Sequence, residues 1–165
     1  MKLPVCLAIC MSQASLAAPA AARERAPTAA QAELYGSAED AAQPWHRGWA
    51  DARVAGDLVF VSGVVVAVDR SQAEASVQLA FEKAFEKISS LLGQAGAGLS
   101  QVVDITVYMT DVDAQLDAFD NARLKAMQRP YAASTVVQVT RLIPKDGLAE
   151  IKVVARIPPP DTHSP

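Results

Sequence analysis

Few side chains in this 165-residue chain could carry covalent or metal chemistry. Cys6 and Cys10 are its only cysteines, and both fall in the first ten residues. The remainder therefore offers no disulfide, thiolate nucleophile or thiolate metal site. His46 stands at the start of the predicted domain and His163 in the tail, and neither is placed for a histidine metal site or a Ser-His pair. No metal and no cofactor are expected. What is left is a carboxylate, an ammonium and some hydroxyls. Glu150 and Lys152 stand two residues apart in a predicted last strand, so an acid and a cation share one strand face. Ser134 and Thr135 follow the loop at Pro130 and could donate to an oxyanion or satisfy the local turn. Trp49, at the head of the first predicted strand, is suited to packing.

The composition limits what such residues could serve. Apolar residues make up 51% of the chain and charged residues 20%, with a formal charge of −3, as expected of one ordinary domain with an aliphatic core. An acidic balance without a Lys/Arg cluster argues against nucleic acid, where affinity comes mainly from neutralising phosphates. No segment approaches the ~20 apolar residues needed to span a bilayer. Residues 1–22 have the outline of a secretory signal, with one lysine, a short apolar run and small-residue cleavage positions between Ser15 and Ala22. A periplasmic or secreted product is expected; translation from Met11 would instead give a cytoplasmic one. Residues 23–44, rich in Ala, Glu, Gln, Arg and Pro, read as a flexible linker. The domain is expected over 45–158, with a disordered proline-rich tail over 159–165.

Within the domain the periodicity predicts β-β-α-β-α-β-β. A strand from Trp49 to Val54 turns at Gly56-Asp57 into Leu58–Val66, where Gly63 signals a bulge or a close backbone approach. Ser71 and Glu74 form a capping-box pattern ahead of a helix whose stripe is Val77, Phe81, Ala84, Phe85, Ile88, Leu91, Leu92 and Ala95, with Gly96 as its stop. In the next strand Val103, Ile105, Val107 and Met109 are assigned to one face, and Asp104, Thr106 and Tyr108 to a half-polar one. Asp111 or Asp113 caps a second helix with Leu116, Phe119, Ala126 and Met127 inward; Arg123 lies on that stripe and is expected to snorkel its head to solvent. The last strands, around Val136–Val139 and Ala149–Ile157, are expected to pair across the turn at Pro144–Gly147. The result is an α+β sheet with both helices on one face.

The ordered set Gly56–Gly63, Gln94–Gly96, Val102–Asp111, Arg141–Lys145 and Glu150–Ala155 resembles the RidA/YjgF family of small imine deaminases, from about Trp49 to Ile157. The resemblance implies the chorismate-mutase-like fold, a homotrimer with sites at subunit interfaces, and a small-molecule ligand. It places the family's water-orienting acid at Glu150 and its first-strand aromatic residue at Trp49. Family deaminases carry an arginine after the loop proline that grips the carboxylate of a 2-imino acid by two-pronged hydrogen bonding. Here Pro130-Tyr-Ala-Ala-Ser-Thr135 puts Ala133 or Ser134 in that place, and the family cysteine falls on Thr135 or Val136.

That departure separates two readings. In the first, the chain is a hydrolytic deaminase of imines or enamines, weak or altered towards 2-imino acids, because losing a charged hydrogen bond of ~1.5–3 kcal/mol weakens carboxylate binding by one or two powers of ten. In the second, it is a non-catalytic trimer that binds a small molecule or a protein. The ribonuclease label that the family also carries is disfavoured by the charge. Lys152 is the alternative cation nearest Glu150 in sequence.

Overall fold

β-Branched and aromatic runs become strands here, and the two amphipathic stretches become helices laid on one side of them. The structure is a computed structural model and describes residues 33, 34, 36, 48–69, 71 and 76–159. Cys6, Cys10, His46, His163, Glu74, the whole predicted leader and most of the predicted linker and tail lie outside the described residues. The elements are β1 (Glu33–Leu34), β2 (Ala52–Ala55), β3 (Leu58–Val66), α1 (Val77–Gln94), β4 (Val102–Met109), α2 (Val112–Ala126), β5 (Ala133–Gln138) and β6 (Ala149–Arg156). They form a six-stranded sheet ordered β1-β2-β3-β6-β4-β5. The predicted α+β order is present, preceded by the two-residue β1. Its Glu33 and Leu34 pair with Arg53 and Ala52, inside the stretch expected to be a linker.

The core lies between the sheet and the helices. Phe81, Phe85, Ile88, Leu91 and Leu92 of α1 and Phe119 of α2 are all 2% exposed or less. They cover Val59, Val61, Val66, Ile105, Val107, Met109, Ile151 and Val153 in one buried cluster. Phe119 stands edge-on to Phe81 at 5.7 Å between centroids and stacks on Phe85 at 6.2 Å, geometries that add to the burial of each ring. α1 starts later than the capping pattern implies. Ser76, directly ahead of the first apolar position, accepts the Leu79 N–H at 3.1 Å, while the Ser71 N–H goes to Asp69. Gly96, at φ +75°, ends the helix as expected. Asp111 caps α2 by accepting from the Ala114 N–H at 3.1 Å.

Three expectations need correction. The last two strands do not pair with each other. α2 carries the chain back along the sheet, the crossover that a parallel pair requires, and β5 runs parallel to β4. β6 inserts antiparallel between β3 and β4. Its buried Ala149, Ile151, Val153 and Ala155 suit that central place, while β5, exposed at five of six positions, suits an edge. Second, Val103 is 48% exposed and Val102 is the buried residue, because the ladder with β6 shifts register between Val102 and Asp104. Third, Gln115 and Ala122 share the buried face of α2 with Phe119, while Leu116 and Ala126 pack only at its margin.

Candidate active site

The face of the sheet away from the helices carries the polar side chains, and strand register sorts them into rows. Glu150 lies opposite Val65 of β3 and Tyr108 of β4, and Tyr108 lies beside Val137 of β5. One row further along, Lys152 lies opposite Thr106, and Thr106 beside Thr135. The next row runs Phe60, Val154, Asp104, Ala133. Paired residues in a ladder point to the same side. Glu150, Lys152, Thr135 and Ala133 therefore share a face, and Ser134, paired with Ile105, points to the other. Of the loop residues named from sequence, Ala133 and Thr135 can contribute to a site beside Glu150. Ser134 cannot, because its register sends it to the helix side.

The register of β3 shifts between Val61 and Val64, so Ser62 and Gly63 bulge opposite Lys152. Gly63 lies directly against the candidate acid. A methyl group there would overlap Cγ, Cδ and Oε1 of Glu150. The glycine thus lets the half-buried carboxylate lie flat over the bulge, the close approach that an isolated strand glycine signals. Ser62 positions the other wall: its hydroxyl donates to the Ala50 carbonyl and its N–H to the Asp51 carbonyl, each at 2.8 Å. These bonds hold the segment carrying Trp49 against the bulge. Trp49, Phe60, Ser62, Arg53 and Lys152 line a cleft of about 310 Å³. Arg53 is engaged there by Glu33 at 3.7 Å. Among the described residues, the side chains of Glu150 and Lys152 make no hydrogen bond or ion pair.

The sequence nominates Glu150, Trp49 and Thr135 as candidates and places Tyr108 on the half-polar face, but does not single out their neighbours Ser62 and Phe60. The signal for Ser62 was its place beside the flagged Gly63. Phe60 and Tyr108 become neighbours of Glu150 and Lys152 only through β6 inserting between their strands. Arg123, on the inward stripe of α2, stays structural: it donates to Asp120 Oδ1 at 3.0 and 3.3 Å, with its guanidinium carbon 5.8 Å from the Phe119 centroid. A second and larger cleft, of about 890 Å³, opens beyond the ends of β4 and β5, lined by Thr110, Thr140, Arg141, Lys145 and Asp146 among others. Its two cations and its acids Asp69 and Asp146 balance, so it carries no net charge preference. Among the described residues no group of three or more His, Cys, Asp or Glu could hold a metal ion, and no helix is long and apolar enough to cross a membrane.

Chemically, the arrangement offers a carboxylate lying against bare backbone, beside an ammonium and hydroxyls, with an aromatic-walled cleft adjoining. Such a carboxylate can orient water by accepting its hydrogen. Comparison with known proteins gives this geometry a context. The family model described as Endoribonuclease L-PSP matches residues 37–157. The RutC family protein YjgH of Escherichia coli K12 is 35% identical over 104 residues, covering 62% of this chain and 78% of its own. TdcF of the same organism, named provisionally as a reactive intermediate deaminase, is 29% identical over 103 residues, covering 61% of this chain and 79% of its own. A crystal structure from Mycobacterium tuberculosis, described as a member of the YjgF/YER057c/UK114 family, superposes with a TM-score of 0.64 at 27% identity, over 77% of this chain and 99% of that one.

Proposed function

The chain belongs to the Endoribonuclease L-PSP family, the RidA/YjgF group, and from that premise we propose that it hydrolyses small imines or enamines without metal or cofactor. The observation that carries this reading is the Glu150 carboxylate lying over Gly63 with no side-chain partner among the described residues. In the reaction, Glu150 accepts a proton from water as the water oxygen bonds to the imine carbon. Glu150 returns that proton to the nitrogen, the hydroxyl of the addition product gives up its own, and the C–N bond breaks, so that ammonia leaves and a carbonyl remains. Nothing is oxidised or reduced.

Activity towards 2-imino acids is weak in this reading. The β5 positions facing Glu150 are Ala133, Thr135 and Val137, none of them able to grip a carboxylate with two prongs. The same observation favours the second reading, a non-catalytic binding protein. RNA cleavage is not proposed, since a chain of net charge −3 has little to offer a phosphate backbone.

The proposal extends to a homotrimer whose open sheet faces meet, with sites between subunits. Phe60 and Val137, 39% and 40% exposed, support it as apolar area on the face that bears Glu150. A periplasmic or secreted location is proposed on the pattern of residues 1–22 alone, and N-terminal sequencing of the protein from its host checks it. The activity is tested by generating imines from amino acids enzymatically and following carbonyl release. The deaminase reading expects a rate above the uncatalysed background that Glu150→Gln lowers about 10²–10⁴-fold. A wild-type rate at background for imines and enamines alike leaves the binding-protein reading.

A further inference from the structure

β6 ends at an apolar groove for which the hydrolase reading has no use. The Ile157 N–H donates to the Asp57 carbonyl at 2.8 Å, and the prolines that follow have no N–H with which to continue a ladder. Pro158 and Pro159 line a groove of about 550 Å³ together with Val103, at the start of β4, and Tyr131, in the loop ahead of β5. Val103 is 48% exposed and Tyr131 46%. Arg156, the charged residue among those lining the groove, is engaged by Asp57 at 2.9 Å. Two further arginines stand at the tyrosine. The guanidinium carbon of Arg129 lies 4.9 Å from the Tyr131 ring centroid and that of Arg123 lies 5.9 Å from it. Arg123 donates to Asp120, whereas among the described residues the Arg129 side chain makes no hydrogen bond or ion pair. The groove is therefore apolar, with one unneutralised cation at its aromatic side.

We propose that this groove is the docking site of the chain's own segment Pro160 to Pro165, with proline packed on Tyr131 and the Asp161 carboxylate meeting Arg129. Position, composition and charge select this occupant. The segment continues directly from Pro159, which already lines the groove, and six residues reach ~20 Å at full extension. Proline-rich segments suit grooves with an aromatic wall because their backbone is largely fixed beforehand, so docking costs little entropy. Asp161 follows Pro159 by two residues, and its charge complements the unpaired guanidinium beside the ring. A tethered segment also loses little translational freedom on docking, so a contact of modest strength suffices to hold it. In place, the segment braces the loop that leads from Tyr131 into β5. The proposal stands apart from the hydrolase reading, since neither Glu150 nor the cleft at Trp49 takes part.

Nuclear magnetic resonance on the isotope-labelled full chain tests it. Wild type is expected to show Overhauser contacts between tail prolines and the Tyr131 ring. The Asp161 and Thr162 amides should have order parameters above ~0.6, the level below which a backbone counts as flexible. Tyr131→Ala should remove that order. Asp161→Asn and Arg129→Gln should each lower it, and the double variant should lower it no further than the stronger single one. Asp161 is outside the folded sheet, so its substitution reads docking without disturbing the fold. Order parameters below that level in wild type, or tail order unchanged in Tyr131→Ala, overturns the proposal. So does additive loss in the double variant, which would separate Asp161 from Arg129. A sample mixed from two differently labelled copies distinguishes the remaining occupant. Contacts to Tyr131 found only between copies would give the groove to the tail of a second chain and overturn docking within one.

Discussion

The two faces of the sheet are built from the same strands and differ in almost every physical respect. On the helix side Val59, Val61, Ile105, Val107, Met109, Ile151 and Val153 are 1% exposed or less, and Phe119 is locked between Phe81 and Phe85. On the other side the alternate residues of those strands, Phe60, Thr106, Tyr108, Glu150 and Lys152, remain partly or largely open to solvent. The covered face is redundant, since each apolar contact is supported by many others. The open face is sparse: scattered charges at Glu150, Asp104, Lys152 and Arg53, a few hydroxyls, and partly exposed aromatic rings. Stability is concentrated on the first, which leaves the second free to hold groups that would be costly inside a core.

The largest effect should come from the covered face. Phe119→Ala is expected to cost about 3–5 kcal/mol, because both flanking rings lose their partner and the helices cannot close the gap without moving. Urea denaturation at fixed protein concentration measures it. A loss below about 1 kcal/mol, at the scale of an ordinary surface change, would mean the helix layer is far more plastic than its packing implies.

This half of the molecule was largely legible in the sequence. The α1 stripe repeats at helical spacing from Phe81 to Leu92, and each of its large apolar residues is buried as that spacing requires. The open half was less legible, for reasons of pairing. A ten-residue gap between β5 and β6 suggested a hairpin, but strand partners depend on contacts between distant segments that local patterns do not encode. The register shift at Val102 was equally hidden, since the alternation from Val103 onward is compatible with either strand face. Ser134 and Thr135 are adjacent hydroxyls in sequence, and only their pairing with Ile105 and Thr106 separates them. Gly63 was flagged as a close approach, yet nothing local named Glu150 as the group approaching it.

Reversing the test on the open face should leave the fold and change assembly. Val137 is 40% exposed on edge strand β5. Val137→Asp therefore deletes little intramolecular packing, but sets a charge on the surface proposed to meet other subunits. Light scattering should show a trimeric mass for wild type and a smaller mass for the variant, with the far-ultraviolet circular dichroism retained. A wild-type monomer at all concentrations would detach the open face from any role in assembly.

A finer cut separates the site from its frame. Gly63→Ala puts a methyl group where Cγ, Cδ and Oε1 of Glu150 now lie. Glu150 is half-buried, so its side chain can swing away without moving backbone. The variant should unfold within about 1 kcal/mol of wild type while losing most of the Glu150-dependent rate. Retention of the full rate would show that the carboxylate works from another rotamer than the one over the bulge.

The smallest effect belongs to the surface ion pair between the helices, and it tests whether charge on the covered side matters as charge on the open side does. Lys125 Nζ donates to Glu82 Oε2 at 2.8 Å, and Gln78 Nε2 donates to Glu82 Oε1 at 3.0 Å. The Lys125 bond first, and the Gln78 bond after it, hold the Glu82 carboxyl below the ordinary carboxylate range. A group whose folded pKa is depressed binds its proton more readily when unfolded, so its contribution is present above the unfolded pKa and is lost as pH falls through the folded one. Lys125→Met should accordingly lower stability slightly at neutral pH. The gap from wild type should close as the solution is acidified through and below the ordinary carboxylate range, and should narrow in high salt at neutral pH, as expected of an exposed pair. Stability curves for both proteins across that range decide the matter. A gap that persists unchanged in acid would assign the loss to the packing of the lysine stem against the helices and not to its charge.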